Sequence, residues 1–221
     1  MISDRKLDRS ELARLAEAGE RSFQNCDFAG ADLSRLELSE TQFETCNFSA
    51  TNLTGANLND TIWQRCNGSK ARFNSADLSD ARFATCNLTA ADFGRAQLGS
   101  CRFDGCKLTG GNFAEVSGID IRFTQCLLVG AYLRKLSFRK LVLQGLDFSD
   151  ADLGGADFRD AEFEKCSLRG ATLKGAQFKG ADLRGCDLGA IDLADAPIFK
   201  GALISKAQAG ELLAGFGIRV G

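Results

Sequence analysis

The stretch RSFQN CDFAG ADLSR LELSE TQFET CNFSA TNLTG ANLND, residues 21–60, decides the fold, because it falls into fives with Phe or Leu at every centre. The frame runs without insertion or deletion to Ala196-Pro197-Ile198, giving 36 consecutive pentads centred on residues numbered 3 or 8 in each decade. Leu or Phe fills 32 of the 36 centres, the exceptions being Trp63, Gly68, Gly118 and Ile198. Two positions earlier, 24 of the 36 residues are Ala or Cys, so a large and a small apolar group alternate inside most repeats. An internal repeat this long outranks any local propensity.

A second period lies on top of the first. Cys26, Cys46, Cys66, Cys86, Cys106, Cys126, Cys166 and Cys186 stand on one twenty-residue comb, and Cys101 also occupies the small inward slot. Another comb reads Phe23, Phe43, Trp63, Phe83, Phe103, Phe123, Leu143, Phe163 and Leu183. Same-type columns at a spacing of 20 are expected if four pentads close one coil and equivalent residues stack between coils. A Cys alternating with Ala in such a column reads as a small buried hydrophobe. Nine cysteines at this spacing, with no histidine in the chain, resemble no zinc site and no disulfide framework.

Tandem A(D/N)LXX resembles the pentapeptide-repeat family over about four fifths of the chain. The resemblance implies a right-handed quadrilateral parallel β-helix, an all-β solenoid of about nine coils, over residues 21–200. Short helices should close its ends. Residues 1–20 form the first cap, with Ser10 as the N-cap of SELARLAEA and Gly19 as its stop. Residues 201–221 form the second, with Ser205 before KAQAGELLAGF and a short edge strand through Ile218 and Val220. Two centre glycines interrupt the core. The Trp63 indole is expected to fill the space at Gly68, and Ile119 or Ile121 the space at Gly118.

The middle of the chain departs from the pattern. Val116, Ile121, Leu136, Leu141 and Leu146 replace the small residue, and Leu127, Val129, Tyr132 and Val142 sit where the pattern points outward. Either a distorted coil tucks these groups in, or they form an apolar patch rimmed by cations such as Arg134 and Lys135. Charge is segregated along the chain, at −5 over residues 1–60, +6 over 61–145, −5 over 146–195 and +2 beyond.

Nothing resembles a catalytic constellation, a phosphate-binding loop or a metal cluster, so no enzyme activity, cofactor or metal is expected. The net charge of −2 and the burial of aromatics in the centres argue against direct nucleic-acid binding. The absence of an apolar leader and of any long apolar run points to the cytosol, away from a membrane.

The segment SFQNCDFAGADL, residues 22–33, is similar to the opening repeats of the Qnr quinolone-resistance family. ELLAGFGIRVG, residues 211–221, is similar to that family's LL-x-x-LGI-x-V ending, with Phe216 where Leu is usual. The resemblance implies a non-catalytic DNA mimic that dimerises through its C-terminus and engages DNA gyrase or topoisomerase IV. Plasmid-borne members of that family carry loops between repeats, whereas this frame is unbroken, as in the loop-free mycobacterial relative. On this reading the partner-binding residues are the acidic run Asp147, Asp150, Asp152, Asp157 and Asp160, together with Leu127, Val129 and Tyr132. Leu212, Leu213, Phe216, Ile218 and Val220 form the homodimer interface. The alternative is an interaction scaffold or regulator with an unrelated protein partner.

Overall fold

The computed structural model describes residues 1–191, 196–215, 217 and 218. The chain is a parallel β-solenoid of about nine turns with two short helices. It divides into two compact units, residues 1–127 and residues 128–221.

In the first unit the strands are β1 (Ile2–Ser3), β2 (Ser22–Gln24), β3 (Gln42–Glu44), β4 (Ile62–Gln64), β5 (Arg82–Ala84), β6 (Arg102–Asp104) and β7 (Arg122–Thr124). Each pairs in parallel with the next, in strict twenty-residue register from β2 onward: Phe23 on Phe43, Phe43 on Trp63, Trp63 on Phe83. We call this wall 1. The other walls are stacked single bridges. Asp27 on Asn47 marks wall 2, Asp32 on Asn52 wall 3, and Glu37 on Asn57 wall 4. The last residue of each pentad turns the corner with φ near +55°, not only at glycines but also at Glu40, Asp60 and Asp80.

The twenty-residue columns are the core. On wall 1, rings stack at 5.7 Å (Phe23–Phe43) and 5.4 Å (Trp63–Phe83), Phe43 and Trp63 meet tilted at 4.5 Å, and wall 3 rings meet this column edge-on. The cysteine column is buried and unbridged. Its thiols donate to the preceding turn, as from Cys46 to the Phe23 carbonyl at 3.4 Å and from Cys66 to the Phe43 carbonyl at 3.3 Å. Burial pushes the Cys101, Cys166 and Cys186 thiols up, away from the thiolate.

The two centre glycines are solved differently. At Gly68 a Cβ would stand 2.8 Å from Leu88 Cδ2, so Leu88 leans into the vacant centre. The Trp63 indole, expected there from the sequence, is not among the atoms nearest that Cβ; it is buried among rings, 4.7 Å from Phe48 and 5.9 Å from Phe73. Gly118 is not a buried centre but stands exposed. With φ at +122°, it packs so close to Gly99 that any Cβ would collide with that residue's main chain. Neither isoleucine fills the position: Ile119 is 84% exposed and Ile121 half-buried, contrary to the expectation from the sequence.

Helix α1 (Arg9–Glu17) is capped by Asp8, not Ser10: the Asp8 carboxylate accepts from the Glu11 amide at 2.9 Å, and Glu11 reaches back to the Asp8 amide. Before it, Ile2 pairs with Phe23 and buried Leu7 follows Lys6, which bridges Asp27. The first eight residues therefore act as a partial leading turn.

The second unit holds β8 (Val142–Gln144), β9 (Glu162–Ser167) and β10 (Asp182–Asp187), again parallel. The pentad frame slips by one residue near Pro197. A 3-10 turn covers Ala196–Phe199, Phe199 rather than Ile198 stacks on Phe178 at 5.0 Å, and Leu203 bridges Asp182. Helix α2 (Lys206–Gly215) follows, with Ser205 Oγ accepting from the Gln208 amide at 3.2 Å. Ile218 belongs to the helix stop rather than to an edge strand, donating to the Leu213 carbonyl at 2.9 Å after Gly217 at φ +74°. Phe216 and Val220 lie outside the described residues. Among the described residues no helix is long and apolar enough to cross a membrane.

Candidate functional site: the charged walls

Each outward side chain belongs to a wall, and the wall is fixed by residue number modulo twenty. That sorting redistributes the charges. In the first unit, wall 4 and its trailing corner comprise the pentads at 36–40, 56–60, 76–80, 96–100 and 116–120. They carry Glu37, Glu40, Asp60, Asp77, Asp80 and Asp120, and no lysine or arginine. Glu40, Asp60 and Asp80 are exposed, stacked on one corner, and without ion-pair partners among the described residues. Their amides are held by the next turn, donating to the carbonyls of Asn59, Ser79 and Gly99 at 2.8–2.9 Å. Asp120 pairs with Arg122 at 2.6 Å. Glu37 accepts from Asn57 at 2.8 Å and from the Ser39 amide at 3.1 Å. Partial burial opposes its ionisation, but these bonds outweigh it and hold the carboxyl below the usual range.

The adjoining wall 1 is opposite in sign, with Arg82, Arg102 and Arg122 in register on β5, β6 and β7. Asp104 is exposed on the same wall, and Arg65 is paired with Glu44.

In the second unit the acidic run is not one surface. Asp147 lies on wall 2 and Asp150 on its corner, Asp152 on wall 3, Asp157 on wall 4 and Asp160 on the following corner. Asp157 is gripped by Arg159, with contacts of 2.8 Å from Nε and 2.6 Å from Nη2, and that guanidinium holds its carboxyl below the usual range. Asp152 faces Arg134 at 3.9 Å and Asp160 faces Arg139 at 3.8 Å. Asp147 accepts from the Ser149 hydroxyl and amide, and Asp150 has no ion pair among the described residues. Only those two share their side of the unit with Glu162, Glu164, Asp182 and Asp187, so the structure separates the five residues.

The apolar candidates stand outward. Leu127, on wall 2 of the first unit, is 46% exposed. In the second unit Tyr132 is 38% exposed beneath the Arg134 guanidinium, 6.0 Å from its ring centre, and Val129 is half-buried. The oversized Leu136 and Leu146 are the ones taken into the core. At the C-terminus Leu212 and Leu213 are half-buried and Ile218 is exposed. Leu212 closes an apolar cavity of about 200 Å³ over Leu188, Ile191, Phe199 and Ile204.

Among the described residues no group of three His, Cys, Asp or Glu is placed to hold a metal ion. The chemistry on offer is that of a patterned surface. The acidic wall escaped the linear reading because its members stand about twenty residues apart. Sorting by the coil period would have found it.

Comparison with known proteins bears on the family and the fold. The description "pentapeptide repeat region" matches residues 20–93 and 116–193, and "pentapeptide repeats (8 copies)" matches residues 86–117. No curated protein sequence matches the chain. Among solved structures it is similar to a trypsin-treated variant of QnrB1, a plasmid-mediated fluoroquinolone resistance protein. The identity is 25%, covering 99% of this chain and 96% of that one, with a TM-score of 0.60. A second trypsin-treated QnrB1 variant matches at 24% identity over the same shares, with a TM-score of 0.51. HetL of the cyanobacterium Nostoc, involved in heterocyst differentiation regulation, matches at 27% identity over 81% of this chain and 96% of its own, with a TM-score of 0.34.

Proposed function

The chain belongs to the pentapeptide-repeat family, and from that premise we propose that it binds DNA gyrase or topoisomerase IV by imitating the charge of DNA, without catalysis. Wall 4 of the first unit carries the proposal: six carboxylates and no cation over five turns. At ~4.8 Å per turn these span ~19 Å, about one charge per 3.8 Å. A single strand of duplex DNA presents one per about 3.4 Å. The likeness to QnrB1, a fluoroquinolone resistance protein, supports the same reading. Wall 4 thereby replaces the split run from Asp147 to Asp160 as the preferred contact surface. Leu212, Leu213 and Ile218 lie on the segment where the resemblance puts a homodimer contact, and an isologous pairing there would present two acidic walls.

The test is a gyrase supercoiling and binding assay with and without a fluoroquinolone, alongside light scattering for the dimer. The double substitution Asp60→Lys and Asp80→Lys should weaken gyrase binding about tenfold, or 1.4 kcal/mol, mainly by slowing association. Asp157→Lys, on a carboxylate already neutralised, should change it less than twofold. A protein that neither binds gyrase nor alters supercoiling would instead be a scaffold for another partner.

A further inference from the structure

In the second unit, walls 3 and 4 are basic, opposite in sign to wall 4 of the first unit. Their pentads, residues 131–140, 151–160 and 171–180, hold seven lysines and arginines against Asp152, Asp157 and Asp160. All three carboxylates face an arginine, Arg134, Arg159 or Arg139 respectively. With the arginines so engaged, four exposed lysines remain without an anionic partner among the described residues: Lys135, Lys140, Lys174 and Lys179. The other two walls of this unit carry six acids and three bases, so the unit has a basic side and an acidic side.

Glycines flank these lysines. Gly155 lies under the Lys135 stem and Gly201 under the Lys179 stem, with Cγ atoms 3.4 and 3.5 Å from where a Cβ would be. Gly175 and Gly180 form the corners beside Lys174 and Lys179, the Asp160 carboxylate lying against the Gly180 corner. Beside them, Tyr132 and Arg134 present a half-exposed ring under a guanidinium.

We propose that walls 3 and 4 of residues 128–180 bind the phosphate backbone of a nucleic-acid duplex, sequence-independently, through Lys135, Lys140, Lys174 and Lys179. Lysine offers a point charge that accepts any approach direction. An acidic peptide would have to match these four positions, whereas a duplex presents a charge every ~1.7 Å of axis and finds partners in any register. The absence of a base-reading constellation among the described residues fits backbone contact alone.

The whole protein, without any topoisomerase, is titrated onto a fluorescent 24-base-pair duplex while salt is varied. Four phosphate contacts predict a log–log slope of about −3.6, so binding weakens about fiftyfold between roughly 50 and 150 mM salt. The Lys135→Glu, Lys174→Glu double variant should halve that slope and retain the wild-type melting temperature. Asp60→Lys should not weaken duplex binding, which separates this surface from the one proposed for gyrase. A slope shallower than about −1, or a double variant that binds like wild type, overturns the proposal. Competition by polyglutamate as effective as by unlabelled duplex also overturns it, in favour of an acidic protein partner.

Discussion

Replacing Trp63 by alanine tests the idea that an oversized centre compensates for an empty one. The indole is 1% exposed and meets four rings, Phe43, Phe48, Phe83 and Phe73, at 4.5 to 5.9 Å. Its N–H donates to Thr61 Oγ1 at 2.9 Å. That hydroxyl keeps its own bond to the Leu58 carbonyl at 2.6 Å, so truncation leaves no buried donor stranded. The cost is therefore that of lost burial and the cavity, about 3–5 kcal/mol. For a chain of this size each kcal/mol moves the melting temperature by about 2–4 °C, so a drop of roughly 6–20 °C is expected. Alone, Gly68→Ala should cost about 1–3 kcal/mol, because the new methyl must displace the Leu88 tip. In the Trp63→Ala background Leu88 can yield into the cavity, so the double variant should fall short of the sum by at least about 0.5 kcal/mol. Urea titration followed by circular dichroism measures all three. A loss below about 1 kcal/mol for Trp63→Ala, or strict additivity, refutes the shared-volume reasoning.

Acid and thiol chemistry give two further outcomes. Asp157, Asp182 and Asp187 are held below the usual carboxylate range, chiefly by Arg159, Arg184 and Arg169. Depressed folded pKa values give stability that is present above the unfolded value of about 3.8–3.9 and lost as pH falls through the folded values. With no histidine in the chain, the urea midpoint should stay level from about pH 6 to 8 and decline only below about pH 4; a fall between pH 6 and 7 contradicts this. The nine buried free thiols should be silent to a disulfide reagent in the native protein at about pH 8 and all react once it is unfolded; prompt reaction of any in the native state would show an open core.

The core was legible because two periods specify it together. The fivefold pattern chooses what points inward, and the twentyfold pattern chooses which residue stacks on which, so the register of β2 to β7 was readable from Phe23, Phe43 and Trp63. The ends were harder, since each departs from the repeat for a local reason. Ser10 and Asp8 compete for the same amides, and the carboxylate wins by accepting from the Glu11 amide while Ser10 Oγ donates to it at 2.7 Å. Ile2 and Leu7 extend the solenoid without any pentad signature. Pro197 cannot donate to a ladder, and the frame slips beside it into a 3-10 turn. Gly118 misled for another reason: its main chain stands exposed against Gly99, so there is no buried centre to fill, which no side-chain inventory foresees.

The linear charge map failed more instructively. Residues 146–195 sum to −5, as do residues 1–60, yet the two stretches present different surfaces. In the later stretch Asp157 has Arg159 two residues on, and Asp160 reaches Arg139 one turn back, so opposite charges meet on the same wall. In the first unit Arg82 and Arg102 of the intervening turns fall on wall 1, leaving Glu40, Asp60 and Asp80 of wall 4 without ion pairs among the described residues. A partner held against one wall weights charges by a screening length of about 8 Å. It therefore responds to neighbours stacked at ~4.8 Å far more than to the net charge of −2. A nearly neutral solenoid can in this way carry an acidic recognition surface, provided like charges recur at the coil period and opposite charges are displaced by a fraction of it. Shifting Arg82 or Arg102 by one pentad would keep composition and net charge and still move the cation to another wall.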